Sequence, residues 1–456
     1  MANSYLSSNT GTATNAKKFT YSVWLKRSKI SSEQRFYQGY KDGNNRAYAV
    51  FLSSDKLRVY NMTASNIELY WDSTRVFRDT SAWYHIVLSA DSTQAAQADR
   101  FKVYVNGVEE TDFTKNYNPG QNIDWGNQLA QTNGDLTISG TESQTQLFEG
   151  YMSHAAFVDG TALTPTSFGE TDSTSGIWKF KSPTGITWGN NGYHLKFENS
   201  ANLGLDSSGN TNNFTVGGDL KQSISTPSNV IATINALDNT IIGGNNKATF
   251  TDAGTTVQTG NTPYTASTSS YGVTKGKWYA EFKYTAKGAT DAAILGVVGK
   301  IFSANAAIGT VSESYSYYVN GNKYVASGSA TSYGSTWTLN DIIGIALDVD
   351  NSKLYFSKNG TWQDSGDPTS GSTGTGAISI AAVDTVEAGA YFMAVGDFGN
   401  PTTTYATWKP NFGEGKFGQD AVASAGTSSS GDDSVWEYDC PANYYGLNTK
   451  NINTYG

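Results

Sequence analysis

Acid–base or nucleophilic chemistry needs carboxyl groups, imidazoles or thiols brought together, and this sequence offers few of them. Carboxylates two residues apart occur at Glu110-Thr111-Asp112 and Glu170-Thr171-Asp172. On a strand such residues point to the same side, which is how a retaining glycosidase could set an acid and a nucleophile about 5–5.5 Å apart. Both pairs lack the third carboxylate of a Glu-x-Asp-x-Glu run, and exposed hairpin acids account for them. The three histidines, His85, His154 and His194, stand in strand-like surroundings without a Gly-x-Ser-x-Gly elbow, so packed strand residues are expected rather than a catalytic base. Cys440 is the only cysteine, which excludes intrachain disulfides and thiolate metal clusters. The run Gly272 to Trp278 mimics a phosphate loop, but Trp278 occupies the place of the magnesium-binding hydroxyl. No catalytic residues are expected.

Binding residues are better represented. Asp159, Asp206, Asp348 and Asp350, beside Asn residues, could supply oxygen ligands to calcium, and the same side chains also serve the backbone of tight turns. Trp71, Tyr117 and Trp125 in the first half, and Tyr315, Tyr324, Tyr333 and Trp337 in the second, sit beside Asn, Asp, Ser or Gly. Read as loop aromatics, they would stack on the C–H faces of sugars. Read otherwise, they plug the ends of sandwiches or face another subunit. No other cofactor is expected.

The elements that must position these groups have a period of two. Phe19, Tyr21, Val23 and Leu25 alternate with Thr20, Ser22 and Trp24, and Phe101, Val103 and Val105 alternate up to Asn106-Gly107. That pattern is a strand running into a hairpin. Many short strands of this kind, with no long helical run, predict an all-β fold of two tandem antiparallel β-sandwich (jelly-roll) domains. The chain has 456 residues, too many for one ordinary core. Residues 1–220 form the first expected sandwich, 221–247 a connection, and 248–417 a second sandwich. Residues 418–456 are expected to be a flexible linker and a short aromatic tail. So short a piece cannot bury its own rings, so the tail is expected to dock on a neighbouring domain or another subunit, with Trp436, Tyr438, Tyr444, Tyr445 and Tyr455 as the expected inter-subunit contacts.

Composition narrows the partners. With 31 basic and 40 acidic residues the net charge is −9, and no basic cluster exceeds a pair, which argues against nucleic acid. Charged residues are only 16% of the chain while aromatics reach 13%, a folded rather than disordered composition. No apolar run is long enough to cross a bilayer, so membrane insertion is not expected. MANSYLSSNTGTATNAKKF has no signal-type apolar core, which suits assembly in a reducing cytoplasm.

Longer blocks carry a resemblance. SYLSSNTGTATNAKKFTYSVWLKRS, WYHIVLSADS, FKVYVNGVE, GYMSHAAFVDGTALTPTSFGE and the stretch from SGIWKF to NNFTV resemble laminin-G-like (concanavalin-A-like) domains of phage virion proteins. STPSNVIATINALDN is similar to the connecting block found after that domain in such phage proteins. GKWYAEFKY, LNDIIGIALDVDNSKLYFSKNGTW, FMAVGDFG and NFGEG resemble a SPRY domain, and YDCPANYYGLNTKNINTYG resembles a segment located after SPRY units in tail-fibre-type proteins. His154 stands where the first family usually has an acidic residue, which removes support for a metal role there.

The resemblance implies a non-enzymatic phage virion surface protein, a tail fibre, spike or appendage for host-cell adsorption. The alternatives are a capsid-decoration, head-fibre or other structural virion component, and a secreted carbohydrate-binding protein. The implied partners are other virion proteins, further copies of the chain, and a host surface glycan or envelope receptor.

Overall fold

The computed structural model describes residues 4–125, 134–173, 175–237, 248–260, 264–301, 306–398, 405–427 and 432–456. The chain divides into two compact units, Met1–Ser223 and Ile224–Gly456. Both are built almost wholly from antiparallel strands, so the fold is all-β as the period-two alternation predicts.

In the first unit an eight-stranded sheet runs in the order Phe113–Tyr117, Asn66–Val76, Lys56–Thr63, Asn45–Phe51, Gln34–Asp42, Gly134–Ile138, Tyr5–Thr10, Thr215–Gly217. It faces a six-stranded sheet whose centre is Lys18–Arg27 between Gly150–Asp159 and Tyr84–Asp91. Tyr21, Val23 and Leu25 enter the core with Phe51, Leu57, Val59, Ile86 and Leu88. Thr20, Ser22, Trp24 and Lys26, the expected solvent side of that strand, are buried as well. The reason is a further covering layer. The segment after Asp159 crosses the outer side of the six-stranded sheet, where Leu163, Phe168, Ile186 and Trp188 pack on Ala156 and Val158.

The second unit holds a nine-stranded sheet around Lys277–Lys287 and Ile342–Asp348, and a six-stranded sheet around Phe392–Asp397 and Ala293–Val298. Its core gathers Trp278, Phe282, Tyr284, Leu295, Tyr317, Ile345, Phe356 and Trp408.

Two expected segments differ from the structure. Of the connection 221–247, residues 238–247 lie outside the described ones, but Val230, Ile231, Ala232 and Ile234 are buried, the last three within the core of the second unit. Ala232 N–H donates to the Leu447 carbonyl and Asn235 N–H to that of Thr268. An apolar run of that kind stabilises a core rather than a linker.

The tail is likewise part of the second unit. Tyr445–Gly446 pairs in parallel with Trp278–Tyr279, and a short helix comes next over Thr449–Tyr455. Trp436 is fully buried edge-on to Tyr279 at 4.8 Å, and buried Tyr444 donates its hydroxyl to the Pro368 carbonyl. Those two rings are therefore intrachain contacts and not inter-subunit ones, because the face of the nine-stranded sheet at Tyr279 and Tyr355 supplies the surface the tail lacks. Tyr438 and Tyr445 are half-buried, and Tyr445 stacks on exposed Tyr455 at 3.6 Å. The linker 418–434 is also structured where described, with Asp420–Ala421 pairing with Lys416–Phe417.

Candidate ligand-binding face

Most of the aromatics expected to stack on sugars belong to the two cores. Trp71, Trp125, Tyr315, Tyr333 and Trp337 are all buried. Trp71 and Tyr315 are inward positions of strands, and Trp125 donates its Nε1–H to the Lys17 carbonyl at 2.9 Å. The hydroxyl oxygens of Tyr315 and Tyr333 accept the backbone N–H groups of Ala381 and Phe356. Neighbouring Ser, Asn and Gly made these positions look like loops, but burial of an aromatic face stabilises more than exposure does. Tyr324 is half-buried and stacked on Phe398 at 5.0 Å. The side chain of Tyr117 lies outside the described residues.

The other candidates are also committed elsewhere. Asp159 Oδ2 accepts the N–H groups of Thr14 and Asn191, and Asp206 accepts those of His194, Ser208 and Asn212. Asp348 pairs with Lys277 at 3.0 Å and Asp350 accepts the Gly276 N–H. These carboxylates therefore serve the backbone and a lysine. Among the described residues no group of three His, Cys, Asp or Glu side chains is arranged to hold a metal ion. Glu170 and Asp172 both reach Lys179, and Glu110 reaches Arg75.

The histidines form a layer of their own. Trp178 Nε1–H donates to His85 Nδ1 at 2.9 Å, which leaves Nε2 to carry the ring proton and donate to Ser22 Oγ at 2.8 Å. His154 Nδ1 lies 3.2 Å from His194 Nε2, and the rings of Phe180 and Trp188 stack on the two. Burial pushes His85 and His154 down to about 3 and His194 to about 4, so all three are neutral at physiological pH. These are structural imidazoles that anchor the covering segment.

The arrangement that sequence reading missed is on the outer side of the eight-stranded sheet. Tyr48 is paired directly with Tyr60, and Tyr60 with Tyr70, across three adjacent strands. Residues so paired share one face of a sheet, at about 4.8 Å per strand. The Tyr48 and Tyr60 rings stack at 4.9 Å, and Tyr70 meets Tyr60 edge-on at 5.8 Å.

Guanidinium groups occupy the remaining ring faces. Arg35 lies over Tyr48 at 4.1 Å, Arg46 over Tyr60 at 5.9 Å, and Arg58 over Tyr70 at 4.6 Å. The row ends at buried Gln38, the cross-strand partner of Tyr48, which hydrogen-bonds both Arg35 and Glu142. The ring faces are thereby taken, and Tyr60, itself buried, turns its hydroxyl to Met62 Sδ at 3.4 Å. A signal was present in the sequence, an Arg-x-Tyr at 46–48 repeated at 58–60, one strand and turn later.

The charges on this face are unequal in their surroundings. Arg58 makes two parallel bonds to Asp72, Nε to Oδ1 at 2.7 Å and Nη2 to Oδ2 at 2.8 Å, and this pairing raises its pKa. Arg35 is lowered, chiefly by burial, against the opposing pull of Tyr48, Glu33 and Glu142 and with a smaller contribution from the charge of Arg46. Tyr48 is raised by burial against the opposing pull of Arg35, Arg58 and Arg46.

Comparison with known proteins bears on both units. Residues 1–167 match the concanavalin A-like lectin/glucanases superfamily, and residues 277–378 match the SPRY domain. A Ran-binding proteins 9/10 homolog of Drosophila melanogaster is 31% identical over 86 residues, 19% of this chain. The chain spans only 9% of the length of that relative. The SPRY domain of human HERC1 aligns with 34% of this chain and 87% of its own at 18% identity and a TM-score of 0.27. The heptameric SAP-like pentraxin of Limulus polyphemus aligns with 48% of this chain and 96% of its own at 15% identity and a TM-score of 0.28. On the two family matches, the chain carries a concanavalin A-like lectin/glucanases superfamily domain at its N-terminus and a SPRY domain in its second half.

Proposed function

We propose that this is a non-enzymatic binding protein that engages glycan through the outer face of the eight-stranded sheet, and that it does so on the surface of a phage particle. The observation that carries the glycan reading is the cross-strand row of Tyr48, Tyr60 and Tyr70 lined by Arg35, Arg46 and Arg58. Such a row offers many hydrogen-bond donors at a spacing set by the sheet, which suits a hydroxyl-rich chain better than an apolar partner. Lectin-like and SPRY domains are typically non-catalytic binding modules, which favours binding over turnover.

The particle reading, a tail fibre, spike or appendage for host adsorption, is supported by the blocks from SYLSSNTG to NNFTV and by the tail block at Tyr438 to Gly456, which resemble phage virion proteins. Each site would bind weakly and gain from many copies. A structural role in the particle, such as capsid decoration, is favoured by Val108 and Ile177. These are 65% and 66% exposed on either side of the Gly107–Trp178 contact and suit burial against another virion protein.

The test is binding of the purified protein to host envelope polysaccharide. Replacing Tyr48→Ala and Tyr70→Ala together is expected to weaken binding by about tenfold or more while the first unit stays folded at the assay temperature. Unaltered affinity would remove the face from the mechanism.

A further inference from the structure

The edge strand Tyr193–Leu195 of the six-stranded sheet, beyond the segment that matches the lectin/glucanases superfamily, runs into a concavity of about 380 Å³. Residues 196–200 and Asn202 line one side of it, and Leu205 and Ser207 the other. Both sides are fixed. Leu195 bridges Asp206, whose carboxylate accepts the N–H groups of His194, Ser208 and Asn212. The Gln222 amide donates to the Phe197 and Glu198 carbonyls at 3.0 and 2.9 Å. Phe197 has a φ of 61°, in the left-handed region, which a bulky residue holds only where its surroundings enforce it. Here its ring packs against the core of the first unit. The turn at Phe197 takes the chain off the line of the strand and brings the next residues beside Leu205 and Ser207.

The groups around this hollow are accessible, since Glu198, Asn199, Ser200, Asn202, Leu205 and Ser207 are all exposed. Asn199 and Asn202 accept the N–H groups of Ala201 and Gly204 through Oδ1, at 3.0 and 3.2 Å, which fixes each amide and leaves its Nδ2 group as a donor. Lys196 and Glu198 meet at 3.9 Å, a loose pair whose charges cancel. Two serine hydroxyls can donate or accept, and Leu205, 40% exposed, is the one aliphatic side chain.

We propose that this hollow is a second binding site of the first unit and takes a neutral sugar unit, its hydroxyls bonded by the Asn199 and Asn202 amides and its C–H face laid on Leu205. Its volume lies within the roughly 300–1,000 Å³ of small-ligand sites. An apolar ligand would find a single leucine, and an anion would find Glu198 beside Lys196. The site shares no residue with the tyrosine row and does not depend on the reading of that row.

Saturation-transfer NMR of the full chain with methyl β-galactoside, methyl β-glucoside and methyl α-mannoside tests this. At least one of the three is expected to bind, and to bind equally well when Tyr48→Ala and Tyr70→Ala are present together. Asn202→Asp keeps the Oδ1 that accepts the Gly204 N–H and removes the Nδ2 donor, so it is expected to weaken that sugar by about fivefold with the fold retained. Asn199→Asp makes the same change at the other amide, with the same expected loss. Binding of none of the three sugars, or undiminished binding by both Asp variants, would overturn the inference and leave the reading of the tyrosine row untouched. Loss of the sugar in the tyrosine variant and not in the Asp variants would put it on the tyrosine row, which supports that reading and overturns this one.

Discussion

Asp55 in the first unit and Glu281 in the second are both completely buried carboxylates, and the two are stabilised by different means. Asp55 is met by charge. Its Oδ1 accepts the Ser31 N–H at 2.7 Å and Arg27 Nη1 at 3.1 Å, and its Oδ2 accepts Arg78 Nε at 3.0 Å. Burial alone would raise its pKa, but the Ser31 N–H, Arg78 and Arg27 more than offset that and hold it below the usual carboxylate range.

Glu281 is met only by neutral donors. The N–H groups of Glu437 and Tyr438 reach one oxygen each at 2.8 and 2.9 Å, and the Tyr279 hydroxyl and the Asn411 amide complete the set. Four hydrogen bonds do not replace a cation, and burial pushes this carboxyl up to about 7. The contrast teaches what each carboxylate is for. Asp55 neutralises an arginine that the first core has enclosed, whereas Glu281 pins the backbone of the C-terminal tail to the nine-stranded sheet.

The largest expected effect is on the first of these. Asp55→Ala leaves Arg27, whose side chain is fully buried, without a counter-charge, and should cost about 3–5 kcal/mol. Hydrogen exchange of peptides from the first unit would read this, and a loss below about 1 kcal/mol would mean that Arg27 is not held by Asp55. The stability due to Asp55 is present above the unfolded-state value and is lost as pH falls through its lower folded-state value.

Glu281 has the opposite sign. Its folded-state pKa is raised, so the native state binds the extra proton. The second unit should lose stability as pH rises from about 4.3, the unfolded value, toward 7, by an amount on the order of 3 kcal/mol. Glu281→Gln should abolish that component of the slope when wild type and variant are unfolded by urea across the interval. Parallel profiles for the two proteins would show that the proton resides elsewhere.

The smallest effect sharpens the role of charge at Asp55. Arg78 is 56% exposed, and Arg78→Ala should cost no more than about 1 kcal/mol in the same exchange experiment. A cost approaching that of Asp55→Ala would mean that the exposed arginine, rather than the enclosed one, fixes the carboxylate.

The same contrast between local and assembled information runs through the whole chain. Alternation at Phe19 to Leu25 and at Phe101 to Val105 was enough to assign strands, because the pleat alone turns successive side chains to opposite faces. It could not show that Ser22 and Trp24 would be covered, since the layer that covers them comes from beyond residue 160. Trp71 and Tyr315 were misplaced for a related reason, as polar neighbours in sequence say nothing about which face of the strand is enclosed. That Trp436 and Tyr444 dock within the second unit and not on another subunit was not legible either, because the surface at Tyr279 that receives them is remote in sequence.

Residue types and their order therefore determined the class of fold and the two family matches. Only the tertiary structure decided which aromatics are core and which are surface, and that Tyr48, Tyr60 and Tyr70 stand in one row with Arg35, Arg46 and Arg58 over their rings. The physical reason is that a strand's period is a local property, whereas the register between strands, and the layer laid over a sheet, depend on residues far apart in the chain.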